Sequence, residues 1–160
     1  LDEEVKDIKG EKINKLSDVK LEISLSAFIS EDYIEDNEQR IVYYTRISEI
    51  SSQDDMKNLL ESLEDGYGQI PQEVKNLCLL AYLRNLAGNF SVQKLRVNKY
   101  ECIVFLEKKE EIIDQRLAGN LNEYNGKLTF DSSIKIKFDN NGGILDKVKM
   151  LIEFFEKARG

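Results

Sequence analysis

Three acidic side chains stand close together just before a Gly-x-Gly turn, in the stretch LESLEDGYGQIPQEVKNL. Glu61 precedes Glu64 by three residues and Asp65 by four, so the three share one face if the stretch is helical. Paired carboxylates can act as general acid and base, but this chemistry requires a carboxyl group buried in a cleft. The polar face of an exposed helix does not provide that burial, so we expect no catalysis from these acids.

Other chemistries are excluded by motif spacing and by composition. The DGYG turn lacks a lysine and follows a helix, and GNLNEYNGKL from Gly119 has six residues between its glycines and ends in leucine, so neither matches a phosphate-binding loop. The chain has no histidine, which excludes the usual zinc sites and Ser-His-Asp or Cys-His arrangements. Cys78 and Cys102 lie in separate apolar stretches, which predicts buried, reduced thiols and a cytoplasmic location. We expect no metal and no cofactor.

The net charge of −7 is unevenly distributed along the chain. Residues 1–65 carry 18 acids and 8 bases, whereas residues 66–160 carry 12 acids and 15 bases. The acidic first part disfavours strong direct binding to DNA and suits a partner with a basic face. The alternative is a nucleic-acid-binding accessory domain that uses a basic hairpin. Its bases surround Tyr100 and are Lys94, Arg96, Lys99, Lys108 and Lys109. Charges at the edge of a sheet also protect against aggregation, which would explain them without a ligand.

Three consecutive helices are predicted around the acidic stretch. Asp36 begins the first, with Gln39 as its capping-box partner and an apolar stripe formed by Ile41, Tyr44, Ile47 and Ile50. The second follows Ser52 and ends near Asp65, because Gly66 and Gly68 can adopt the positive φ of a helix C-terminus.

Pro71 suits the first turn of the third helix, which Gly88 ends. The remaining predicted elements are a strand over 19–27, a hairpin turning at 98–99, a helix over 110–120, one strand within KLTFDSSIKIKFD and a helix over 144–158. Blocks of this kind predict an α+β fold, with a small, mainly antiparallel sheet packed with about five helices. We interpret residues 1–18 as a linker or helical tail and residues 19–160 as a single domain, and no apolar run is long enough to span a membrane.

Two segments resemble the C-terminal domain of bacterial transcription-repair coupling factor (Mfd). AFISEDYIEDNEQRIVYYTRIS, residues 27–48, keeps the family's tyrosine, aspartate and arginine spacing, with Ser30 where the family usually has proline. SLEDGYGQIP, residues 62–71, resembles the family's ELIDRFGxLP and is followed by a similar helix. The similarity extends from about Val19 to Leu106.

This resemblance implies a regulatory domain without catalysis, in a parent protein that is an ATP-driven DNA translocase. In the family the parent displaces stalled RNA polymerase from DNA and recruits the excision-repair protein UvrA. The resemblance implies that the domain packs on the N-terminal UvrB-like module of the same protein. It would thereby hide the face that UvrA binds and restrain the motor.

The resemblance also implies which residues make that intramolecular contact. The family uses the Glu, Asp and Arg of ELIDR, and this chain places Ser62, Asp65 and Gly66 at those three positions. Glu61 and Glu64 flank the changed positions and could supply acid to a basic partner face. These five residues are the predicted partner-binding site.

Overall fold

The computed structural model describes residues 17–107 and 113–160, so most of the predicted tail lies outside the described residues. The described strands form one sheet in the order β1-β2-β3-β5-β4. Only the β1–β2 pair is parallel, and the other three pairs are antiparallel. The strands are β1 Lys20–Ile23, β2 Val92–Val97, β3 Cys102–Leu106, β4 Gly126–Phe130 and β5 Ile134–Phe138.

The described residues also include five α-helices, which confirms the predicted α+β class. They are α1 Asn37–Ser48, α2 Gln53–Tyr67, α3 Gln72–Ala87, α4 Gln115–Ala118 and α5 Ile144–Arg159. Short 3₁₀ turns follow α3 at Gly88–Phe90 and precede β4 at Asn122–Tyr124. Among these helices none is both long enough and apolar enough to cross a bilayer.

Helices pack on one face of the sheet, here called the inner face. The opposite face is the outer face. Strand pairing aligns three residues on the inner face: Leu95 of β2, Val104 of β3 and Ile136 of β5. All three are fully buried in the same core cluster as the apolar side chains of the helices. Phe154 of α5 packs edge-on against Phe138 of β5, with ring centroids 5.1 Å apart. The strands therefore contribute every second side chain to the core, as a half-covered sheet requires.

The apolar stripe predicted for α1 is wrong in two of its four members. Ile41 is 63% exposed and Tyr44 is 38% exposed, whereas Tyr43, Ile47 and Ile50 are buried. An α-helix needs about 3.6 residues per turn, so steps of three residues rotate steadily off one face. The buried residues follow steps of four and three. The N-terminal cap is also different, because Asp36 accepts a hydrogen bond from the backbone N–H of Glu38 and not of Gln39.

Three other predicted elements need correction. KLTFDSSIKIKFD forms two antiparallel strands, β4 and β5, because Asp131 accepts a hydrogen bond from the N–H of Ser133 and turns the chain. The first strand is limited to β1. The helix expected over 110–120 covers Gln115–Ala118, and residues 110–112 lie outside the described part of the chain.

Candidate interaction surface at the end of the second helix

We call residues 61–71 the corner: the last turns of α2 and the connection into α3. Gly68 has a φ of +87°, and its N–H donates a 2.9 Å hydrogen bond to the carbonyl of Glu64, which ends the helix. Pro71 follows directly before the first residue of α3. The predicted role of Gly68 is confirmed, whereas Pro71, expected in the first turn of α3, is the N-cap residue with an extended backbone. Gly66, however, lies inside the helix and does not adopt a positive φ.

An aromatic cluster holds the corner against the rest of the domain. The Tyr33 hydroxyl donates to the carbonyl of Gly68 at 2.9 Å, with the carbonyl of Leu63 as a second acceptor at 3.3 Å. The Tyr33 ring lies 5.8 Å from that of Tyr67, which packs edge-on against Tyr43 at 5.9 Å. Burial raises the pKa of Tyr33, and the nearby charge of Glu64 raises it further. The tyrosine thus remains a neutral hydrogen-bond donor.

Ser62 faces α1 and is not a free surface residue. Its hydroxyl lies 2.8 Å from the hydroxyl of Tyr43 and 3.5 Å from a guanidinium nitrogen of Arg46. The guanidinium of Arg46 also stacks over the Tyr43 ring, 4.9 Å from its centroid. This arrangement places one cation beside the acidic end of α2.

Glu61, Glu64, Asp65 and Gly66 are all exposed. Within the described residues, no ion pair or side-chain hydrogen bond engages the carboxylates of these three acids. Glu61 and Glu64 border a shallow depression on α2 together with Lys57 and Leu60. The acids therefore form a solvated anionic surface that is suited to a cationic partner.

Metal binding receives no support from the described residues, among which no cluster of three or more acidic or cysteine side chains could hold an ion. Cys78 and Cys102 are buried and unpaired, and burial raises the pKa of each thiol to about 12. Their predicted role as structural thiols is consistent with this burial.

The structure brings together all five predicted site residues, but with different roles. Glu61, Glu64 and Asp65 are exposed, Gly66 leaves open space beside them, and Ser62 is tied to α1. The sequence did not reveal the contacts of the corner with Tyr33 and Tyr43. Those contacts join residues 19 to 35 positions apart, for which no local pattern exists.

Apolar side chains are exposed next to α1. Ile41 and Val42 project from the helix, Phe28 precedes it, and Tyr44 accepts a 2.9 Å hydrogen bond from the N–H of Ile29. Ile41, Val42 and Tyr44 belong to the same helix as Arg46, whereas Phe28 lies in the segment before it.

Comparisons with known proteins identify relatives of this chain. The model of the TRCF domain family matches residues 23–117. The transcription-repair-coupling factor of Borreliella burgdorferi is 26% identical over 137 residues, covering 81% of this chain and 12% of the relative. The same factor from Myxococcus xanthus is 26% identical over 136 residues, covering 85% and 11%, and that from Escherichia coli is 23% identical over 118 residues, covering 74% and 10%.

The chain thus spans about a tenth of the length of these curated relatives. A solved crystal structure of the C-terminal domain of a transcription-repair coupling factor has a TM-score of 0.77 to this chain. The superposed region includes 91% of this chain and 94% of the solved chain, and the sequence identity is 20%. The two chains therefore share a fold.

Proposed function

Because the chain belongs to the TRCF domain family of transcription-repair-coupling factors, we propose that it is a regulatory domain that docks on the N-terminal UvrB-like module of its own protein. In the docked state it masks the UvrA-binding face and restrains the DNA translocase, without catalysis of its own. The observation that carries this proposal is the group of three exposed carboxylates on the corner, which have no partner among the described residues.

An anionic surface of this kind fits a contact that must be released. Glu61, Glu64 and Asp65 can pair with a basic face without first breaking an internal ion pair. Exposed ion pairs each contribute about 0.2–1 kcal/mol, so a few of them give a weak contact that a competing partner can displace. The aromatic cluster behind the corner keeps the backbone in one geometry, which reduces the ordering cost of docking.

Ser62 and Gly66 stand where the family pattern has a glutamate and an arginine, so other residues must supply the acid and the cation of the contact. Ser62 is engaged with Tyr43 and cannot replace a glutamate, so Glu61 and Glu64 supply the additional acid. Gly66 has no side chain, and the nearest guanidinium to Ser62 is that of Arg46 on α1. We therefore include Arg46 in the contact as its cationic member.

The test uses the full-length transcription-repair-coupling factor that carries this domain. Replacing Glu61→Lys and Asp65→Lys together reverses the charge of the corner and should raise both UvrA binding and basal ATPase activity. Asp18→Lys with Asp139→Lys changes the net charge equally at exposed positions outside the corner and should leave both quantities unchanged. If the corner variant behaves like this control, the acids do not form the contact.

The remaining partners belong to the same proposal. RNA polymerase and DNA would be engaged by other parts of the full-length protein, in the bacterial cytoplasm. The alternative of a nucleic-acid-binding hairpin is not adopted, because the chain's net charge of −7 opposes a polyanion. Lys108 and Lys109 of that hairpin lie outside the described residues.

A further inference from the structure

The outer face of the sheet carries six bases in two cross-strand rows, a feature with no part in the corner. Strand pairing aligns side chains on the same face, so each row crosses the sheet from β1 to β4. The first row is Lys20, Lys94, Phe105, Lys135 and Thr129, and the second is Glu22, Arg96, Ile103, Lys137 and Lys127.

The charged groups of three cations lie over the apolar centre of this face. Phe105 is 9% exposed, and the charged groups of Lys94, Arg96 and Lys135 lie 4.4, 5.0 and 5.6 Å from its ring centroid. These cation–π contacts cover the ring and hold the three charges on this face of the sheet. The face therefore offers cations to a partner and no open aromatic ring.

A carboxylate already occupies one position on this face. Glu22 lies between Lys94 and Arg96, with one oxygen 3.5 Å from the ammonium and the other 3.0 Å from the guanidinium. Asp131 pairs with Lys135 at 3.7 Å beside the β4–β5 turn. The other three cations of the two rows are Lys20, Lys127 and Lys137. They are exposed and make no ion pair with any described residue.

We propose that this basic face, Lys20, Lys94, Arg96, Lys127, Lys135 and Lys137, binds an extended acidic segment of a partner protein. Each carboxylate of the segment would lie between two cations of one strand, as Glu22 lies between Lys94 and Arg96 of β2. Alternate residues of an extended chain repeat every ~6.6 Å, which equals the spacing of Lys135 and Lys137 on β5. A segment with acids at every second position therefore matches the face in charge and in period.

Nucleic acid fits this face less well. The whole chain carries a net charge of −7, which opposes a long polyanion but acts weakly on a short peptide within the screening length of the face. The covered ring of Phe105 also removes the stacking platform that single strands use.

The experiment measures fluorescence anisotropy of a labelled peptide of about 12 alternating glutamate and serine residues, at about 50 mM salt. The 160-residue chain should bind it, and Lys127→Glu with Lys137→Glu should weaken binding about tenfold or more. The matched control is Lys57→Glu with Lys149→Glu, on α2 and α5, which gives the same net charge and should change affinity less than about twofold.

Lys127→Gln with Lys137→Gln removes the charges without introducing repulsion, and circular dichroism of each variant establishes that the fold is retained. Absence of peptide binding by the unmodified chain would overturn the proposal, as would equal losses in the face and control variants. Tighter binding of a duplex DNA of about 12 base pairs, lost in the face variants, would overturn it in favour of a nucleic-acid site. None of these residues lies in the corner, so the result is independent of the docking test above.

Discussion

The hydroxyl of Tyr33 donates a 2.9 Å hydrogen bond to the carbonyl oxygen of Gly68, 35 positions further along the chain. This bond joins the loop before α1 to the residue at which α2 ends. The acids of the corner project from the turn that it holds, so their geometry depends on a residue outside their own helix.

Tyr33→Phe should lower the free energy of unfolding by about 1 kcal/mol, because the carbonyls of Leu63 and Gly68 lose their donor. Urea denaturation followed by circular dichroism measures the difference. Tyr100→Phe is the matched control, since Tyr100 is 81% exposed and its hydroxyl makes no hydrogen bond among the described residues. Identical unfolding midpoints for the two variants would show that the Tyr33 hydroxyl does not stabilise the turn.

Alanine substitution at the two corner glycines should change stability in opposite directions. Gly68→Ala places a side chain at φ +87° and ψ −161°, a region that is essentially restricted to glycine, and should cost about 1–3 kcal/mol. Gly66→Ala has open space around its new Cβ and replaces a helical glycine, so it should stabilise by about 0.5 kcal/mol. Thermal denaturation of both variants gives the signs, and a shared sign would refute the assignment of Gly68 as the helix-ending residue.

Stability should decrease in alkaline solution because three buried groups hold their protons more tightly in the folded state. Burial raises the pKa of Cys78, Tyr82 and Cys102 to about 12, from ordinary values of 9.0 for the thiols and 10.0 for the phenol. The folded state then binds more protons than the unfolded state above about pH 9. The free energy of unfolding is unaffected below that pH and falls as the pH rises towards 12.

Urea denaturation at a series of alkaline pH values measures this slope, and Cys78→Ala should make it shallower although the variant is less stable at neutral pH. A slope unchanged by Cys78→Ala would show that the thiol does not contribute to it.

The features that the sequence predicted correctly are those with local signals. Ser52 accepts a hydrogen bond from the N–H of Asp55, as its position before an apolar repeat indicates. Asn98 turns the β2–β3 hairpin by accepting hydrogen bonds from the two N–H groups of Tyr100 and Glu101. Each of these devices acts within three residues, so the sequence alone contains it.

Features that depend on distant residues were missed or misassigned. The α1 stripe failed because Tyr43 is buried by its packing against α2, where its hydroxyl meets Ser62. The parallel pairing of β1 with β2 joins Leu21 to Leu95 across three intervening helices, and no local pattern encodes it. At the corner the acids were found from composition and resemblance, whereas the aromatic support from Tyr33 required the fold.

The parallel alignment of β1 with β2 has a mechanical consequence. A pull on Ser17 along the axis of β1 acts in shear, so the inter-strand bonds across all four paired positions from Lys20 to Ile23 bear the tension together. An antiparallel hairpin pulled at its open end would instead release its bonds one after another. Tension applied at the start of β1 is therefore shared by the whole β1–β2 ladder and does not fall on one hydrogen bond at a time.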